Sequence, residues 1–204
     1  METSAWLSLL TICVLGAISP GPSLVAVMKY TVQGSKLHGL ITATSHAAGI
    51  GLYAFLVAAG LAVVITESPQ LLKVMTIVGA GYLAWLGYQS IISKGSITPD
   101  AVKQENNLPL YQAARDGFLI AFLNPKIAVF FLALFSQFVT PESTRTTQLL
   151  MALMATLCDG IWYCLIASVA GHSAVLPTLR KQGLLINRLC GLFLILVALR
   201  IVIQ

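Results

Sequence analysis

The sequence Ser19-Pro20-Gly21-Pro22 interrupts one long apolar stretch of this chain, and Asn124-Pro125-Lys126 interrupts another in the second half. Proline breaks or kinks a helix because its ring clashes with the preceding turn and its nitrogen has no hydrogen to donate. Lipid cannot satisfy the backbone groups that such a break leaves free, so a break at membrane depth must face protein or a water-filled cavity. The two stretches therefore predict two broken helices that meet at a common site.

The composition is that of a protein that lies in a membrane. Hydrophobic residues make up 57% of the chain and charged residues 9%, and the mean hydropathy is +0.87. A soluble domain carries roughly 25% charged residues. The net charge of +5 does not indicate nucleic-acid binding, because the basic residues lie in short segments between apolar runs. We expect one transmembrane domain and no nucleic-acid partner.

Six apolar runs are long enough, or nearly so, to cross a hydrocarbon core, which takes about 20 residues of helix. These runs are Ala5–Met28, Leu40–Ile65, Leu71–Ile92, Gly117–Val139, Leu149–Ala170 and Leu184–Ile203. We predict six transmembrane helices, of which the proline stretches break the first and the fourth. The first run lacks the basic start of a signal peptide, so we expect it to stay in the mature protein.

The distribution of lysine and arginine predicts the orientation. The segments after the first, third and fifth runs contain eight basic residues: Lys29, Lys36, Lys94, Lys103, Arg115, Arg180, Lys181 and Arg188. The segments on the opposite side contain Lys73, Arg145 and Arg200. Basic residues concentrate in cytoplasmic loops, so both termini are predicted on the periplasmic or extracellular side. Residues 93–115 then form a cytoplasmic linker between residues 1–92 and 116–204.

The two halves also align weakly with each other. Ser19-Pro20 falls on Asn124-Pro125, Gly51-Leu52-Tyr53 falls on Ile161-Trp162-Tyr163, and Tyr82–Gly87 falls on Phe193–Ala198, at an offset that varies between 105 and 111 residues. Because each half contains three helices, the second half must run through the bilayer upside down relative to the first. The sequence therefore predicts an all-α integral membrane protein built as a 3+3 inverted repeat, with its site where the broken helices meet.

Several stretches together resemble the LysE/RhtB family of bacterial amino-acid exporters. They are Ser19-Pro20-Gly21-Pro22, the small-residue-rich Gly39–Gly60, Gly79-Ala80-Gly81-Tyr82-Leu83, and Asn124-Pro125-Lys126 followed by Phe130–Phe138. The resemblance covers nearly the whole chain. It implies a six-helix protein of the bacterial inner membrane that expels amino acids or their derivatives, uses the proton gradient and forms a homodimer. The chain departs from the family pattern at Ser45 and His46, where a glycine and an apolar residue are expected, and this leaves the substrate open.

Two charged residues lie deep within the predicted helices. Lys126 is about ten residues into the fourth helix and Asp159 about eleven into the fifth, which at ~1.5 Å per residue places each roughly 15 Å deep. Ionisable residues inside a membrane are costly and by default face a cavity. The two charges are interpreted either as a structural ion pair or as contacts for substrate and protons.

An amino acid carries a carboxylate and an ammonium group, and its site needs a partner for each. Helix N-termini at the breaks attract anions, Lys126 adds positive charge, and Asp159 can take the ammonium. His46, which titrates near pH ~6.5 when unperturbed, is interpreted with Asp159 as a candidate for proton coupling. The alternative is a histidine satisfied by Ser45 or by a backbone carbonyl. The predicted substrate-binding residues are Ser19, Pro20, Gly21, Pro22, Asn124, Pro125, Lys126, Asp159 and Tyr163.

Three other classes of protein were weighed. A metal-ion exporter should show acidic or histidine clusters, whereas residues 93–115 contain only Asp100 and Glu105 as acids and no histidine. A transmembrane thiol or electron carrier needs a cysteine pair in the two halves, but the four cysteines form no CxxC and none lies in the fourth run. An intramembrane enzyme should carry a motif such as HExxH or GxSxG, and neither occurs. We expect an exporter that is not an enzyme and needs no cofactor or metal, with the first two classes as alternatives.

Overall fold

The computed structural model describes residues 2–19, 21–92, 108–140, 142–170 and 175–203. Within these ranges the secondary structure is α-helical and contains no strand. The helices are α1 (Thr3–Ile18), α2 (Pro22–Gln33), α3 (Lys36–Glu67), α4 (Pro69–Ile92), α5 (Leu110–Phe122), α6 (Pro125–Phe135), α7 (Arg145–Val169) and α8 (Val175–Ile203). The all-helical fold class predicted from the sequence is confirmed for this part of the chain.

The first proline stretch separates α1 from α2. Helix α1 ends at Ile18, α2 begins at Pro22, and the two helices are bent by 56° relative to each other. Proline suits the first position of a helix because the backbone N–H that it lacks would find no partner there. The second proline of the stretch therefore starts the new helix. Pro20 lies outside the described residues.

The second proline stretch separates α5 from α6. Helix α5 ends at Phe122, α6 begins at Pro125, and the bend is 48°. The side chain of Asn124 caps α6 by accepting a hydrogen bond from the backbone N–H of Lys126, at 3.0 Å. Such a cap stabilises a helix start by about 1 kcal/mol. At both breaks, therefore, the helix that follows begins with a proline.

Two helices begin well before the apolar runs that predicted them, by seven and nine residues. Helix α5 starts at Leu110 rather than at Gly117, and α8 starts at Val175 rather than near Leu184. A hydropathy run ends at a polar residue such as Arg115, whereas the helix continues because arginine is a strong helix former. Residues 93–107 of the predicted linker lie outside the described part of the chain.

Two stretches of single helix are long and apolar enough to cross a membrane, Lys36–Leu61 in α3 and Arg145–Val169, which is α7. Each bent pair, α1 with α2 and α5 with α6, also qualifies when it is counted as one span. The described residues thus hold two to four candidate spans, against the six predicted. Helices α4 and α8, with 24 and 29 residues, are the remaining helices of the predicted set.

Helix α3 lies at the centre of the bundle, where it packs against α2, α5 and α7. Small residues allow the close approach to α7. A Cβ added to Gly51 would collide with Oγ1 of Thr156, and one added to Gly160 would lie 3.1 Å from the Cβ of Ala47. Such close approach holds membrane helices together because lipid provides no hydrophobic force between them.

Helix α4 packs along α8, and their contact is reciprocal about two glycines. A Cβ added to Gly87 would lie 2.5 Å from the carbonyl oxygen of Gly191, and a Cβ added to Gly191 would lie 2.5 Å from the carbonyl oxygen of Gly87. Gly87 also lies against Ile195 and Gly191 against Ile91, in each case the residue four positions beyond the opposite glycine. The crossing is therefore the same when viewed from either helix.

Helix α7 shows which way the bundle faces. Asp159 and Tyr163 are buried on one side of this helix. Its opposite side carries large apolar side chains that are between 51% and 60% exposed: Leu153, Leu157, Ile161 and Leu165. Polar groups that face inward and apolar groups that face outward are typical of a helix surrounded by lipid. This arrangement directs the acidic side chain to the interior.

Candidate functional site

A cavity lies where the two helix breaks meet, and we call it the central cavity. Its space for the centres of water molecules is about 60 Å³, enough at ~10–15 Å³ each for about four to six waters. Seven of the nine predicted substrate-binding residues line it: Ser19, Gly21, Pro22, Asn124, Lys126, Asp159 and Tyr163. His46 lines it as well. Pro125 lies along a separate groove beside α5.

His46 is the centre of a buried hydrogen-bond chain in this cavity. Its Nδ1 lies 2.7 Å from Oδ2 of Asp159 on α7, and its Nε2 lies 2.8 Å from Oγ of Ser23 on α2. All three residues are buried. The partners of His46 are thus Asp159 and Ser23 rather than the neighbouring Ser45. Ser23 is not among the site residues predicted from the sequence. The one feature of the sequence that points to it is its position directly after Pro22.

The hydrogen-bond chain of Ser23, His46 and Asp159 can take up a proton with little rearrangement. When His46 is neutral, its Nδ1–H donates to the carboxylate of Asp159 and its Nε2 accepts from the hydroxyl of Ser23. When His46 is protonated, Nε2–H donates instead, and the Ser23 hydroxyl needs only to rotate. The pair carries a net charge of −1 in the first state and zero in the second. A change of charge inside the cavity can therefore be made without moving a helix.

Tyr163 forms the wall beside His46. The two rings meet edge to face with their centroids 5.1 Å apart, and Tyr163 is 3% exposed. Tyr163 follows Asp159 by four residues, so both side chains point from the same face of α7. The tyrosine thus packs against the ring that the aspartate orients.

Lys126 lies at the other polar end of the cavity and reaches across both breaks. Its Nζ donates a hydrogen bond to Oγ of Ser19, at 3.0 Å, and lies 3.6 Å from the position that a Cβ on Gly21 would occupy. Among the described residues, the ion-pair partner of Asp159 is His46. Lys126 and Asp159 thus lie in one cavity and contact different residues, Ser19 and His46.

The remaining wall of the central cavity is apolar. It is formed by Cys13, Gly16, Ala17, Ile50, Ile127, Phe130, Phe131, Ala155 and Leu194. The tip of the Phe130 ring lies directly against α1, because a Cβ added to Gly16 would lie 2.6 Å from Cζ of this ring. A cavity with one cationic end, one acidic end and an apolar wall suits a small zwitterion with a short side chain.

A second polar contact joins α2 to α5. The hydroxyl of Tyr30 donates to Oδ2 of Asp116 at 2.6 Å, and Nη2 of Arg115 lies 2.8 Å from Oδ1 of the same carboxylate. None of these side chains was singled out as a site residue from the sequence. Arg115 and Asp116 are neighbours along the chain, but only the fold brings Tyr30 to them.

The described residues contain no group of three or more histidine, cysteine, aspartate or glutamate side chains that could hold a metal ion. The four cysteines, Cys13, Cys158, Cys164 and Cys190, are all free. Neither finding lends support to the metal-ion exporter or to the thiol carrier.

Comparison with known proteins places the chain among transporters. The sequence pattern of the LysE type translocator family matches residues 14–204. The leucine efflux protein of Salmonella typhimurium (strain LT2) is 28% identical over 190 residues, which cover 89% of this chain and 87% of that protein. The homoserine/homoserine lactone efflux protein of the same organism is 27% identical over 153 residues, covering 74% and 73%. The uncharacterized membrane protein YahN of Escherichia coli (strain K12) is 24% identical over 191 residues, covering 94% and 86%. No solved structure matches.

Proposed function

This chain belongs to the LysE type translocator family, and we propose that it exports a small amino acid or amino-acid derivative from the bacterial cytoplasm. Two similar proteins are named for the efflux of leucine and of homoserine or its lactone. The central cavity supports the proposal for this chain, because it holds a partly buried cation, Lys126, and a buried acid, Asp159, at the junction of two broken helices.

The substrate carboxylate is proposed to bind at the Lys126 end. Helices α2 and α6 begin at Pro22 and Pro125, and a helix N-terminus carries partial positive charge from its unpaired N–H groups. The ammonium group of Lys126 lies beside both breaks, next to Ser19 and Gly21. A carboxylate at this point meets cationic groups from both halves of the protein.

The substrate ammonium is proposed to bind at the Asp159 end. His46 contacts one oxygen of this carboxylate, and a carboxylate can accept several hydrogen bonds through its two oxygens. Tyr163 and His46 close this end of the cavity. We propose that proton uptake by His46 weakens the attraction of Asp159 for the ammonium, so that a proton and the substrate oppose each other. Such opposition couples export to the proton gradient.

The architecture is proposed to be a six-span 3+3 inverted repeat in the inner membrane, with both termini outside the cytoplasm. The proline-started helices α2 and α6 support it, since each opens the second half of a broken helix. The reciprocal contact of Gly87 with Gly191 also supports it, because a two-fold axis in the membrane plane would relate α4 to α8 in this way. The repeats are residues 1–92 and 116–204, joined by the cytoplasmic linker 93–115. A homodimer is proposed from the family resemblance.

The test is a panel of labelled amino acids assayed for efflux from cells that make the protein and from cells that lack it. We expect faster efflux of a small set of neutral amino acids or their derivatives. Cells that make Lys126→Met in equal amount serve as the matched control and should behave as cells without the protein. Divalent metal ions are assayed alongside. Metal efflux without amino-acid efflux would overturn the proposal.

A further inference from the structure

A second cavity lies next to the central one, between α1, α6 and α8, and we call it the vestibule. It is a partly open space of about 700 Å³, in which the polar residues Ser4, Ser8, Thr11 and Gln137 lie among a larger number of apolar ones, such as Leu7, Phe193 and Leu196. On α1, the vestibule residues lie nearer the start of the helix than the residues that line the central cavity. On α6 and α8, the vestibule residues lie beside the central-cavity residues or further towards the end of the helix. The vestibule therefore continues the central cavity towards one end of the bundle.

The α1 side of the vestibule offers polar groups to a solute. Ser4, Ser8 and Thr11 recur at helical spacing on one face of α1. The hydroxyls of Ser8 and Thr11 donate to the carbonyls of Ser4 and Leu7, at 2.9 and 2.8 Å, so the oxygen atoms keep lone pairs that can accept hydrogen bonds from the cavity. A neighbouring face of α1 borders a groove against α7 whose lining is apolar throughout, from Trp6 to Leu165. Only one of these two spaces offers polar groups to a passing zwitterion.

Between the two cavities lies a narrow apolar layer. Phe130 of α6 and Leu194 of α8 line the central cavity on its vestibule side, and the Phe130 ring ends against Gly16 of α1. Leu194 is 1% exposed. Because Gly16 has no side chain, the ring spans the whole distance from α6 to α1.

We propose that the vestibule is the path by which substrate leaves the central cavity and that Phe130, closing on Gly16, is the gate between them. The inference rests on the proposed export function, since it assigns a route to the same substrate. With both termini outside the cytoplasm, the vestibule opens outward. The substrate then passes from Lys126 and Asp159 over Phe130 and along the hydroxyl groups of α1.

Cys13 is a native probe for this gate, because it lines the central cavity and is 4% exposed. The test uses the full chain with Cys158, Cys164 and Cys190 changed to serine, in right-side-out and inverted vesicles. A membrane-impermeant methanethiosulfonate is added, and the labelling rate of Cys13 is measured. We expect slow labelling with Phe130 present. In Phe130→Ala we expect labelling at least about tenfold faster, which is ~1.4 kcal/mol of closure, and from one side only.

Two controls make the result specific. Thr11→Cys, made with Cys13 replaced by serine, lies in the vestibule and should label readily from that same side whether or not Phe130 is present. Phe118→Ala, a phenylalanine on α5 that stacks on Phe122, should leave the Cys13 rate unchanged. Phe130→Leu replaces Phe130→Ala if the alanine variant fails to fold, and should give an intermediate rate.

An unchanged Cys13 rate in both Phe130 variants would overturn the gate, and a Thr11→Cys that resists the reagent from both sides would overturn the vestibule. The labelling needs no substrate. A protein that exports none of the amino acids in the panel can still show the gate, and an active exporter can still lack it.

Discussion

Nδ1 of His46 and Oδ2 of Asp159 lie 2.7 Å apart, and this buried contact joins the first half of α3 to the middle of α7. His46 is also a position at which the chain departs from the family pattern that it otherwise resembles. The departure therefore falls on His46, the hydrogen-bond partner of the buried Asp159 in the central cavity. A change at this position alters how the acid is held, and the proposed coupling and substrate binding both depend on that acid.

The first prediction concerns the pH dependence of export. The groups that face His46 are Asp159 and Tyr163 from α7 and Ser23 from α2, with Lys126 of α6 across the cavity. If His46 carries the coupling proton, the efflux rate of the native protein should depend on pH. Substitution His46→Gln keeps a polar side chain of similar length and removes the ring that would bind the proton, so the profile should become flat.

Efflux from proteoliposomes at a fixed substrate gradient measures this profile. His38→Gln is the matched control, because His38 lies on the same helix and bonds to Ser35 and to the carbonyl of Leu108 instead. The control should keep the native profile. A His46→Gln protein whose pH profile equals the native one would rule out His46 as the coupling group.

The second prediction concerns the two midplane charges. Because Lys126 bonds to Ser19 and Asp159 to His46, the charges do not compensate each other directly. Lys126→Met should impair recognition of the substrate carboxylate, and Asp159→Asn recognition of the ammonium. In a simple buried pair, the loss of one partner costs roughly 3–5 kcal/mol and removal of both repairs it. Here the double variant should insert and stay inactive, and restored efflux in that variant would exclude this assignment.

Substrate analogues separate the two ends. Amino-acid amides lack the carboxylate, so they should compete more weakly than free amino acids in the native protein, and Lys126→Met should leave this weaker competition unchanged. Competition by N-acetyl derivatives should likewise be insensitive to Asp159→Asn. Equal weakening of both analogue classes by each substitution would contradict separate roles.

The third prediction concerns the contact between Tyr30 and Asp116. The 2.6 Å hydrogen bond links α2 to α5 and has a carboxylate acceptor, a type that contributes about 1.5–3 kcal/mol. Tyr30→Phe removes the hydroxyl and little else, so thermal unfolding in detergent should occur at a lower temperature. Tyr111→Phe is the control, since Tyr111 lies on α5 and is 73% exposed. Equal melting temperatures for the two variants would show that the contact does not hold the halves together.

The helix breaks could be predicted from the sequence because proline acts on its own turn of helix. Pro22 and Pro125 start α2 and α6 for that local reason. The inward direction of Asp159 was also open to prediction, since a charge deep in an apolar run has to avoid lipid.

The partners of the site residues could not be predicted in the same way. His46 is 113 residues from Asp159, Lys126 is 107 from Ser19, and Tyr30 is 86 from Asp116. Each of these contacts depends on the register and rotation of two packed helices. The hydropathy pattern does not indicate the register of two helices. Small residues such as Gly51 set it, because they determine where two backbones can approach closely.

The fourth prediction concerns orientation. Eight basic residues against three predict that residues 93–115 lie in the cytoplasm. Asn106 lies in this segment and outside the described residues. A cysteine introduced at Asn106 should resist an impermeant thiol reagent added to intact cells and should react once the cells are opened. Rapid labelling of intact cells would reverse the orientation and would make the vestibule face the cytoplasm.

The last prediction concerns the crossing of α4 and α8. A Cβ at Gly87 would lie 2.5 Å from the carbonyl oxygen of Gly191, a backbone atom that cannot move aside without shifting its helix. Gly87→Ala should therefore lower the free energy of unfolding by about 1–3 kcal/mol, the usual cost of overpacking. Gly81→Ala is the matched control on the same helix, because a Cβ there meets nothing within 4 Å. Alanine is the better helix former, so this control should be neutral or slightly stabilising.

Melting temperatures in detergent measure both variants. A Gly87→Ala protein as stable as the Gly81→Ala protein would show that α4 and α8 do not cross at these glycines, and the reciprocal contact would no longer support an inverted repeat.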